Sequence, residues 1–116
     1  MVLTKTPICN FGEKAIDFNL KGVDGKYYKL IDCAGKNGTI IMFICNHCPY
    51  VKAIIRDLVE DISNLKDKKI NAVAIMSNDT KNYPEDSYEN MKLFSKKNNF
   101  NFPYLIDEDQ KVAKQF

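Results

Sequence analysis

The sequence predicts an α/β fold in which a β-hairpin precedes a βαβ core. Two apolar runs rich in β-branched residues, at positions 39–44 and 70–76, are typical of strands that are buried on both faces. Between them, apolar residues recur at the spacing of an amphipathic helix. Strands that alternate with helices in this order pair in parallel through right-handed crossovers.

The hairpin is predicted from two short runs, residues 15–20 and 27–31, in which apolar and polar residues alternate. Asp24 and Gly25 lie between the runs, and an Asp-Gly pair in this position is a strong signal for a tight turn. Residues 35–38, which include two glycines, then separate the hairpin from the first buried strand.

The helix between the two buried strands is predicted to begin near Val51 and to end at the lysine-rich segment 66–69. Its inward face consists of apolar residues at i, i+3 and i+4 spacing. These residues are Val51, Ile54, Ile55, Leu58, Val59, Ile62 and Leu65.

A second helix is predicted from about Asp86, after the polar loop 77–85. Asp86 and Glu89 fit a capping box at its start. Its apolar stripe consists of Tyr88, Met91 and Phe94.

Two short elements are predicted after this helix. Residues 102–106 indicate one more strand, and Asp109 is expected to cap a last helix. The apolar residues of that helix are Val112, Ala113 and Phe116.

Length and composition indicate one domain over residues 1–116 and narrow the classes of partner. A chain of 116 residues with 45% hydrophobic residues can bury a core without metals or disulfides. Seventeen basic and fifteen acidic residues leave a net charge of only +2, which argues against a nucleic-acid binder. No apolar run reaches the ~20 residues needed to cross a bilayer, and residues 1–12 lack a signal-peptide core. We therefore expect no membrane partner and a cytoplasmic location.

The strongest chemical signal is a Cys-x-x-Cys motif, Cys45 and Cys48, between the first buried strand and the following helix. Unpaired N–H groups and the helix dipole stabilise a thiolate there, so we expect the pKa of Cys45 to be lowered. Cys48 lies about one helical turn away, where it can attack a mixed disulfide at Cys45. The alternative is that both cysteines are small apolar residues at a helix cap.

His47, the only histidine in the chain, lies between these two cysteines. When protonated it would favour the Cys45 thiolate further; the alternative is an exposed polar residue of a turn. A zinc site is disfavoured, because zinc prefers close pairs of ligands and the remaining cysteines, Cys9 and Cys33, are far apart. We expect no metal, and we expect Cys9 and Cys33 to be free, partly buried thiols.

The residues around the motif resemble the thioredoxin superfamily, and within it the redoxin branch of peroxiredoxin-like proteins related to alkyl hydroperoxide reductase and thiol-specific antioxidant. The resemblance implies a thioredoxin-like fold, with Cys45 as the attacking cysteine and Cys48 as the resolving one. It also implies that His47 makes the couple more oxidising than that of thioredoxin. The stretches that carry the resemblance are residues 12–20, 24–26, 43–52, 83–87, 102–107 and 112–114.

The sequence departs from the family pattern at several positions. Ile44 replaces the tryptophan that usually precedes the motif in thioredoxins. Thr39 stands where thioredoxins keep a buried acid, so resolution by Cys48 would need another base or water. Peroxiredoxins place a proline and a threonine seven and three residues before their reactive cysteine, but before Cys48 these positions hold Ile41 and Cys45. Thiol peroxidase activity is therefore an alternative rather than the first hypothesis.

The resemblance further implies that the thioredoxin-like domain is C-terminally truncated. Family members continue with an antiparallel hairpin, opened by a cis-proline that faces the active site, and a final helix; Pro103 is not this proline. Without that ββα portion, the strand from Thr39 to Ile44 would become a sheet edge that invites pairing. We therefore expect a shortened chain or gene fragment, or a homodimer in which two copies cover each other's edge.

The first functional hypothesis is a thiol–disulfide oxidoreductase that uses the Cys45-x-x-Cys48 dithiol/disulfide couple, tuned by His47. It needs no bound cofactor. Its expected partners are an electron donor of the thioredoxin or glutathione type and a protein or small-molecule disulfide as substrate. Two alternatives remain: a peroxiredoxin-like thiol peroxidase with an antioxidant role, and a non-catalytic thioredoxin-like binding domain whose thiols have ordinary pKa values.

Overall fold

A computed structural model describes residues 11–115 of the chain. The strands within these residues are β1 (Asn19–Gly22), β2 (Tyr27–Lys29), β3 (Gly38–Phe43), β4 (Ile70–Met76) and β5 (Tyr104–Ile106). The helices are α1 (Leu30–Cys33), α2 (Pro49–Lys66), α3 (Tyr88–Lys97) and α4 (Lys111–Gln115), with a 3₁₀ turn at Pro84–Asp86. Cys9 and Phe116, for which the sequence makes predictions, lie outside the described residues.

The strands form one mixed sheet in the order β2-β1-β5-β4-β3. β3, β4 and β5 run parallel and are connected by α2 and α3, whereas β1 is antiparallel to both β2 and β5. Parallel strands need such crossover connections, because a tight turn can join only antiparallel strands. The predicted α/β class, with a hairpin ahead of a βαβ core, is confirmed.

The hairpin strands are shifted relative to the predicted runs 15–20 and 27–31. β1 begins at Asn19, and β2 ends at Lys29 because the next residues form α1, a single helical turn. The Asp32 carboxylate accepts a hydrogen bond from the Lys29 N–H at 2.8 Å. An acidic side chain that takes a backbone donor in this way favours a helix start over a longer strand.

β4 lies in the middle of the parallel part of the sheet, and its side chains alternate between two apolar cores. Ala72, Ala74 and Met76 face one core, and Val73 and Ile75 face the other. The first core is completed by Ile62, Met91, Phe102 and Tyr104, and the second by Phe18, Cys33, Leu105 and Val112. The prediction that residues 70–76 form a strand buried on both faces is confirmed.

β3 forms one edge of the sheet and is only half-buried. It pairs in parallel with β4, from Gly38 opposite Ile70 to Phe43 opposite Ile75, and no other strand among residues 11–115 lies beside it. Ile40 is 37% exposed. The prediction that residues 39–44 are buried on both faces is met only in part: Met42 packs against one core and Ile41 against the other, but no side chain of β3 is fully buried. The expectation that this strand forms a sheet edge agrees with the topology.

α2 packs against the sheet through Ile55 and Ile62, which are its buried residues. It ends at Lys66, as predicted. Ile54 was assigned to the inward face but is 54% exposed, because it lies roughly 100° around the helix from Ile55. None of the helices within the described part of the chain is long and apolar enough to span a membrane.

The N-terminus of α3 is capped by a different residue from the one predicted. The Ser87 side chain accepts a hydrogen bond from the Asn90 N–H at 3.3 Å. The predicted capping box of Asp86 and Glu89 is wrong, because the Asp86 carboxylate binds the loop after β3 instead.

Two aspartates hold the start of α4. Asp109 accepts a hydrogen bond from the Lys111 N–H at 3.1 Å, as expected for a cap. Asp107, which is fully buried, accepts hydrogen bonds from the N–H groups of Val112 and Ala113 at 3.3 and 3.0 Å. The Ser77 hydroxyl donates to the same carboxylate at 2.9 Å, so Asp107 ties α4 to the end of β4.

Candidate active site

Cys45 and Cys48 lie in the segment that joins β3 to α2, as predicted. β3 ends at Phe43, and Cys48 is the N-cap of α2, followed by Pro49 in the first turn. Cys45 therefore precedes the helix cap by three residues. Both cysteines are half-buried free thiols, whereas Cys33 is a free thiol buried in the core on the other face of the sheet.

Asn46 is buried and anchors this segment at several points. Its backbone N–H donates to Asp86 Oδ1 at 2.7 Å, and its side-chain amide donates to the Glu85 carbonyl at 3.0 Å. Its Oδ1 accepts a hydrogen bond from the Tyr104 hydroxyl at 2.7 Å. Burial raises the pKa of Tyr104, which keeps the hydroxyl protonated as a donor. The loop is thus held against both β5 and the segment before α3.

Asp86 lies fully buried beside this loop. Its Oδ1 accepts the Asn46 N–H, and its Oδ2 accepts a hydrogen bond from the Asn78 side-chain amide at 2.9 Å. The same Oδ2 lies 2.6 Å from His47 Nδ1, close enough for an ion pair, although the two groups are not aligned for a hydrogen bond. A buried carboxylate needs such partners, because an isolated charge away from water is costly.

The His47 ring is held on two sides. One edge faces Asp86, and the ring stacks on Tyr83 with the centroids 5.4 Å apart and the planes 6° from parallel. The side chain is 33% exposed, so the ring connects the buried carboxylate to the surface. His47 is therefore a fixed part of the site and not an unattached residue of an exposed turn.

Cys45, His47 and Asp86 form one cluster. The sulfur, a ring nitrogen and a carboxylate oxygen all lie within 4.8 Å of one another. A thiol, an imidazole and a carboxylate in such proximity can serve as a nucleophile, a base and the group that orients the base. The sequence predicted Cys45 and His47 as site residues, and the fold adds the Asp86 carboxylate.

The pKa of Cys45 is raised above its ordinary value of 9.0, chiefly by burial and next by the negative charge of Asp86. The backbone N–H groups of Cys48 and His47 act in the opposite direction. The lowered pKa expected from the helix terminus is therefore wrong. Cys45 lies ahead of the helix cap, where the dipole has fallen off, and it faces a buried carboxylate.

Sequence reasoning missed Asp86 as a site residue because it assigned this aspartate to a helix cap. Ser87, the next residue, is an equally good N-cap, so two neighbouring residues competed for one position. The available signal was that Ser87 can cap the helix by itself, which leaves the neighbouring Asp86 carboxylate free for a different role.

A cavity of about 530 Å³ opens beside His47, between α2 and α3. Asn46 and His47, which lie between the two cysteines in the sequence, are part of its lining. The remaining lining includes apolar and basic side chains: Ile55, Leu93, Phe94, Lys52 and Lys97. The site therefore adjoins a space that can hold a small ligand or a peptide segment.

The mixed sheet, its crossover helices and two thiols at a strand-to-helix junction together define a thioredoxin-like protein. The chain belongs to the AhpC/TSA family, whose family model matches residues 11–116. The resemblance to peroxiredoxin-like redoxins is confirmed by this match.

Two solved structures are similar over most of this chain. An uncharacterized conserved protein from Geobacillus kaustophilus is 42% identical with a TM-score of 0.90, and the match covers 97% of this chain and 62% of that one. A hypothetical protein from Sinorhizobium meliloti 1021 is 31% identical with a TM-score of 0.89, and the match covers 94% of this chain and 60% of that one. The chain thus spans about three fifths of the length of these relatives.

A more distant structure shows the fold alone. The thioredoxin domain of a thiol-disulfide oxidoreductase from Bacteroides vulgatus is 15% identical with a TM-score of 0.71, and the match covers 92% of this chain and 71% of that domain. No curated protein matches the chain. The predicted thioredoxin-like fold class is confirmed by these similarities.

Proposed function

We propose that the chain acts as a thiol–disulfide oxidoreductase, with Cys45 as the nucleophile and Cys48 as the resolving cysteine. The observation that carries the proposal is the cluster at Cys45, a free thiol with an imidazole and a carboxylate within 4.8 Å. Membership in the AhpC/TSA family supports thiol redox chemistry in the same fold.

The reaction transfers electrons from the dithiol to a substrate disulfide. The Cys45 thiolate attacks one substrate sulfur, a mixed disulfide forms, and the departing substrate sulfur takes up a proton. Cys48 then loses its proton and attacks the Cys45 sulfur, which releases the second substrate thiol and leaves a Cys45–Cys48 disulfide. The substrate is reduced and the chain is oxidised, and an electron donor of the thioredoxin or glutathione type restores the dithiol.

His47 supplies the base in this proposal. Thr39, at the position of the buried acid of thioredoxins, accepts a hydrogen bond from the Gly35 N–H at 2.9 Å and has a structural role. His47 lies within 4.8 Å of the Cys45 sulfur, and transfer of the thiol proton to the ring gives a thiolate beside an imidazolium. Asp86 stabilises the imidazolium, whereas its negative charge acts on Cys45 in the opposite direction and raises the pKa of that thiol.

The cavity beside His47 is the proposed substrate site. Lys52 and Lys97 bring positive charge to its lining against the single negative charge of Glu85, and the cavity also has apolar surface. A glutathione-type or protein disulfide with neighbouring carboxylates complements this lining. The cytoplasmic location of such a system stays a prediction.

Disulfide reduction by cysteine variants tests the proposal. With a thioredoxin or glutathione system as the electron donor, Cys45→Ser should abolish reduction of insulin disulfides. Cys48→Ser should trap a mixed disulfide that mass spectrometry detects. Cys33→Ala is the matched control, because this thiol is buried on the other face of the sheet, and it should keep its turnover. Unchanged turnover in Cys45→Ser would overturn the assignment.

Thiol peroxidase activity is the second candidate, because the chain belongs to the AhpC/TSA family. Ile41 and Cys45 occupy the positions of the peroxiredoxin proline and threonine, so the usual peroxide-orienting groups are not provided there. Hydrogen peroxide consumption that depends on Cys45 or Cys48 and outpaces disulfide reduction would favour the peroxidase. A chain that is inactive in both assays would instead be a thioredoxin-like binding domain.

A further inference from the structure

The cluster of Cys45, His47 and Asp86 has the composition of a metal-ligand set. Its sulfur, imidazole nitrogen and carboxylate oxygen lie within 4.8 Å of one another, and all three donor types bind zinc. The cysteine and histidine come from the loop after β3, and the aspartate comes from the 3₁₀ turn Pro84–Asp86. The sequence disfavours a zinc site because Cys9 and Cys33, the remaining candidate ligands, are far apart. Asp86 is not among those candidates.

The charges of the cluster favour a cation. Asp86 is fully buried, and its ion-pair contact among the described residues is with His47. A thiolate at Cys45 would place a second negative charge within 4.8 Å of the carboxylate. One divalent cation neutralises both anions where a single imidazolium neutralises only one.

The supporting contacts already orient the donor atoms. Asp86 Oδ1 is fixed by the Asn46 N–H and Oδ2 by the Asn78 amide, at 2.7 and 2.9 Å, and the His47 ring is stacked on Tyr83. In metal sites, hydrogen bonds of this kind between ligand side chains and neighbouring residues hold the ligands in place. His47 Nδ1 is buried and lies 2.6 Å from Asp86 Oδ2 without hydrogen-bond geometry, so an ion bound between the two atoms would replace this contact.

Zinc binding requires the donor atoms to shift: the Cys45 sulfur lies within 4.8 Å of the other two and has to come to about 3.6 Å from each. Two ligand atoms that are each about 2 Å from a tetrahedral ion lie about 3.3 Å apart. His47 Nδ1 and Asp86 Oδ2 are 2.6 Å apart. The ring therefore has to move by less than about 1 Å to admit the ion, which the partly exposed side of His47 allows.

We propose that reduced Cys45, His47 and Asp86 bind one Zn²⁺ ion, with the fourth position open to water. Binding replaces the thiol proton of Cys45, which passes to solvent, and no electron is transferred. The bound sulfur is then unable to attack a disulfide or an alkylating reagent, so zinc inhibits the thiol. This site needs only a reduced Cys45 and does not depend on the proposed oxidoreductase activity.

Cobalt substitution tests the site on the full, untagged chain under phosphine reductant. We expect one Co²⁺ per chain, with a thiolate-to-cobalt charge-transfer band that Zn²⁺ removes by competition. Cys45→Ser should lose the band, and His47→Gln and Asp86→Asn should each weaken Zn²⁺ binding by more than about tenfold. Asp86→Asn keeps an oxygen acceptor for the Asn46 N–H, and circular dichroism verifies that each variant is folded.

The cysteines outside the cluster are the controls. Cys48→Ser, Cys33→Ala and Cys9→Ser should keep both the charge-transfer band and the protection of Cys45 from iodoacetamide by stoichiometric Zn²⁺. An equal loss of binding in Cys48→Ser would overturn the proposal in favour of a site on the two thiols. No saturable binding, or unchanged binding in Cys45→Ser, would overturn it as well. Turnover measured with a chelator present assesses the oxidoreductase separately.

Discussion

The hydrogen bond between Tyr104 and Asn46 attaches the loop between β3 and α2 to β5, and its contribution to stability can be measured. Tyr104 is fully buried, Asn46 is 6% exposed, and their oxygens are 2.7 Å apart. Tyr104→Phe removes the hydroxyl but keeps the ring, which packs on Phe100 with the centroids 5.2 Å apart. The variant therefore leaves Asn46 Oδ1 as a buried acceptor that has lost this donor.

We expect Tyr104→Phe to lower the free energy of unfolding by about 1–3 kcal/mol, the usual penalty for a buried polar atom that loses its partner. For a small domain, the urea dependence of that free energy is about 1–2 kcal/mol per molar. The urea midpoint of the variant should therefore fall by about 0.5–3 M. Loosening of the loop should also make Cys45 react faster with iodoacetamide.

Urea unfolding followed by circular dichroism, on reduced protein, is the assay. Tyr28→Phe is the matched control, because the Tyr28 hydroxyl donates to Asp24 near the surface. Its free energy of unfolding should change by less than about 0.5 kcal/mol. If Tyr104→Phe shifts the midpoint no more than Tyr28→Phe, the buried hydrogen bond does not hold the loop and the reasoning is refuted.

Other predictions concern charge, assembly and packing. The rate of Cys45 alkylation should be half-maximal above pH 9.0. Asp86→Asn should move that midpoint to lower pH, because it removes a negative charge that raises the pKa of Cys45. An unchanged midpoint would exclude the electrostatic coupling between Asp86 and Cys45. We expect the chain to self-associate through the edge of β3, and Ile40→Lys should return it to a monomer in sedimentation velocity; a wild-type monomer at high concentration would contradict this. Met91→Ala should lower the free energy of unfolding by about 2–5 kcal/mol because Met91 is fully buried, whereas the 65%-exposed Leu93 should tolerate alanine in the same denaturation assay.

The contrast between β3 and β4 shows how far sequence patterns determine this fold. Residues 39–44 and 70–76 have the same continuous apolar character, and both form strands. Residues 72–76 of β4 are buried, whereas β3 is only half-buried, since β4 lies between two strands and β3 has one neighbour. Strand existence follows from local composition, but burial depends on the order of strands in the sheet, which no short segment contains.

In the candidate site, too, local features could be predicted from the sequence and long-range contacts could not. Cys45 and His47 could be placed from their spacing, since the motif and its position between a strand and a helix are local features. Asp86 could not be placed there, because its approach depends on how the turn before α3 packs against the loop. The predicted direction of the Cys45 pKa shift is wrong for the same reason. Burial and a carboxylate that is distant in sequence outweigh the effect of the neighbouring helix terminus on this pKa.

The anchors of Asn46 have a consequence for the order in which the protein acquires its chemistry. They lie 40 and 58 residues further along the chain, at Asp86 and Tyr104. A growing polypeptide contains both site cysteines well before it contains either anchor, and contacts over such separations require closure of long loops. The thiol pair therefore emerges from the ribosome as two ordinary cysteines. The Asp86 carboxylate and the Tyr104 anchor reach the loop only when the segments that carry them fold against it, so the candidate site forms together with the tertiary fold.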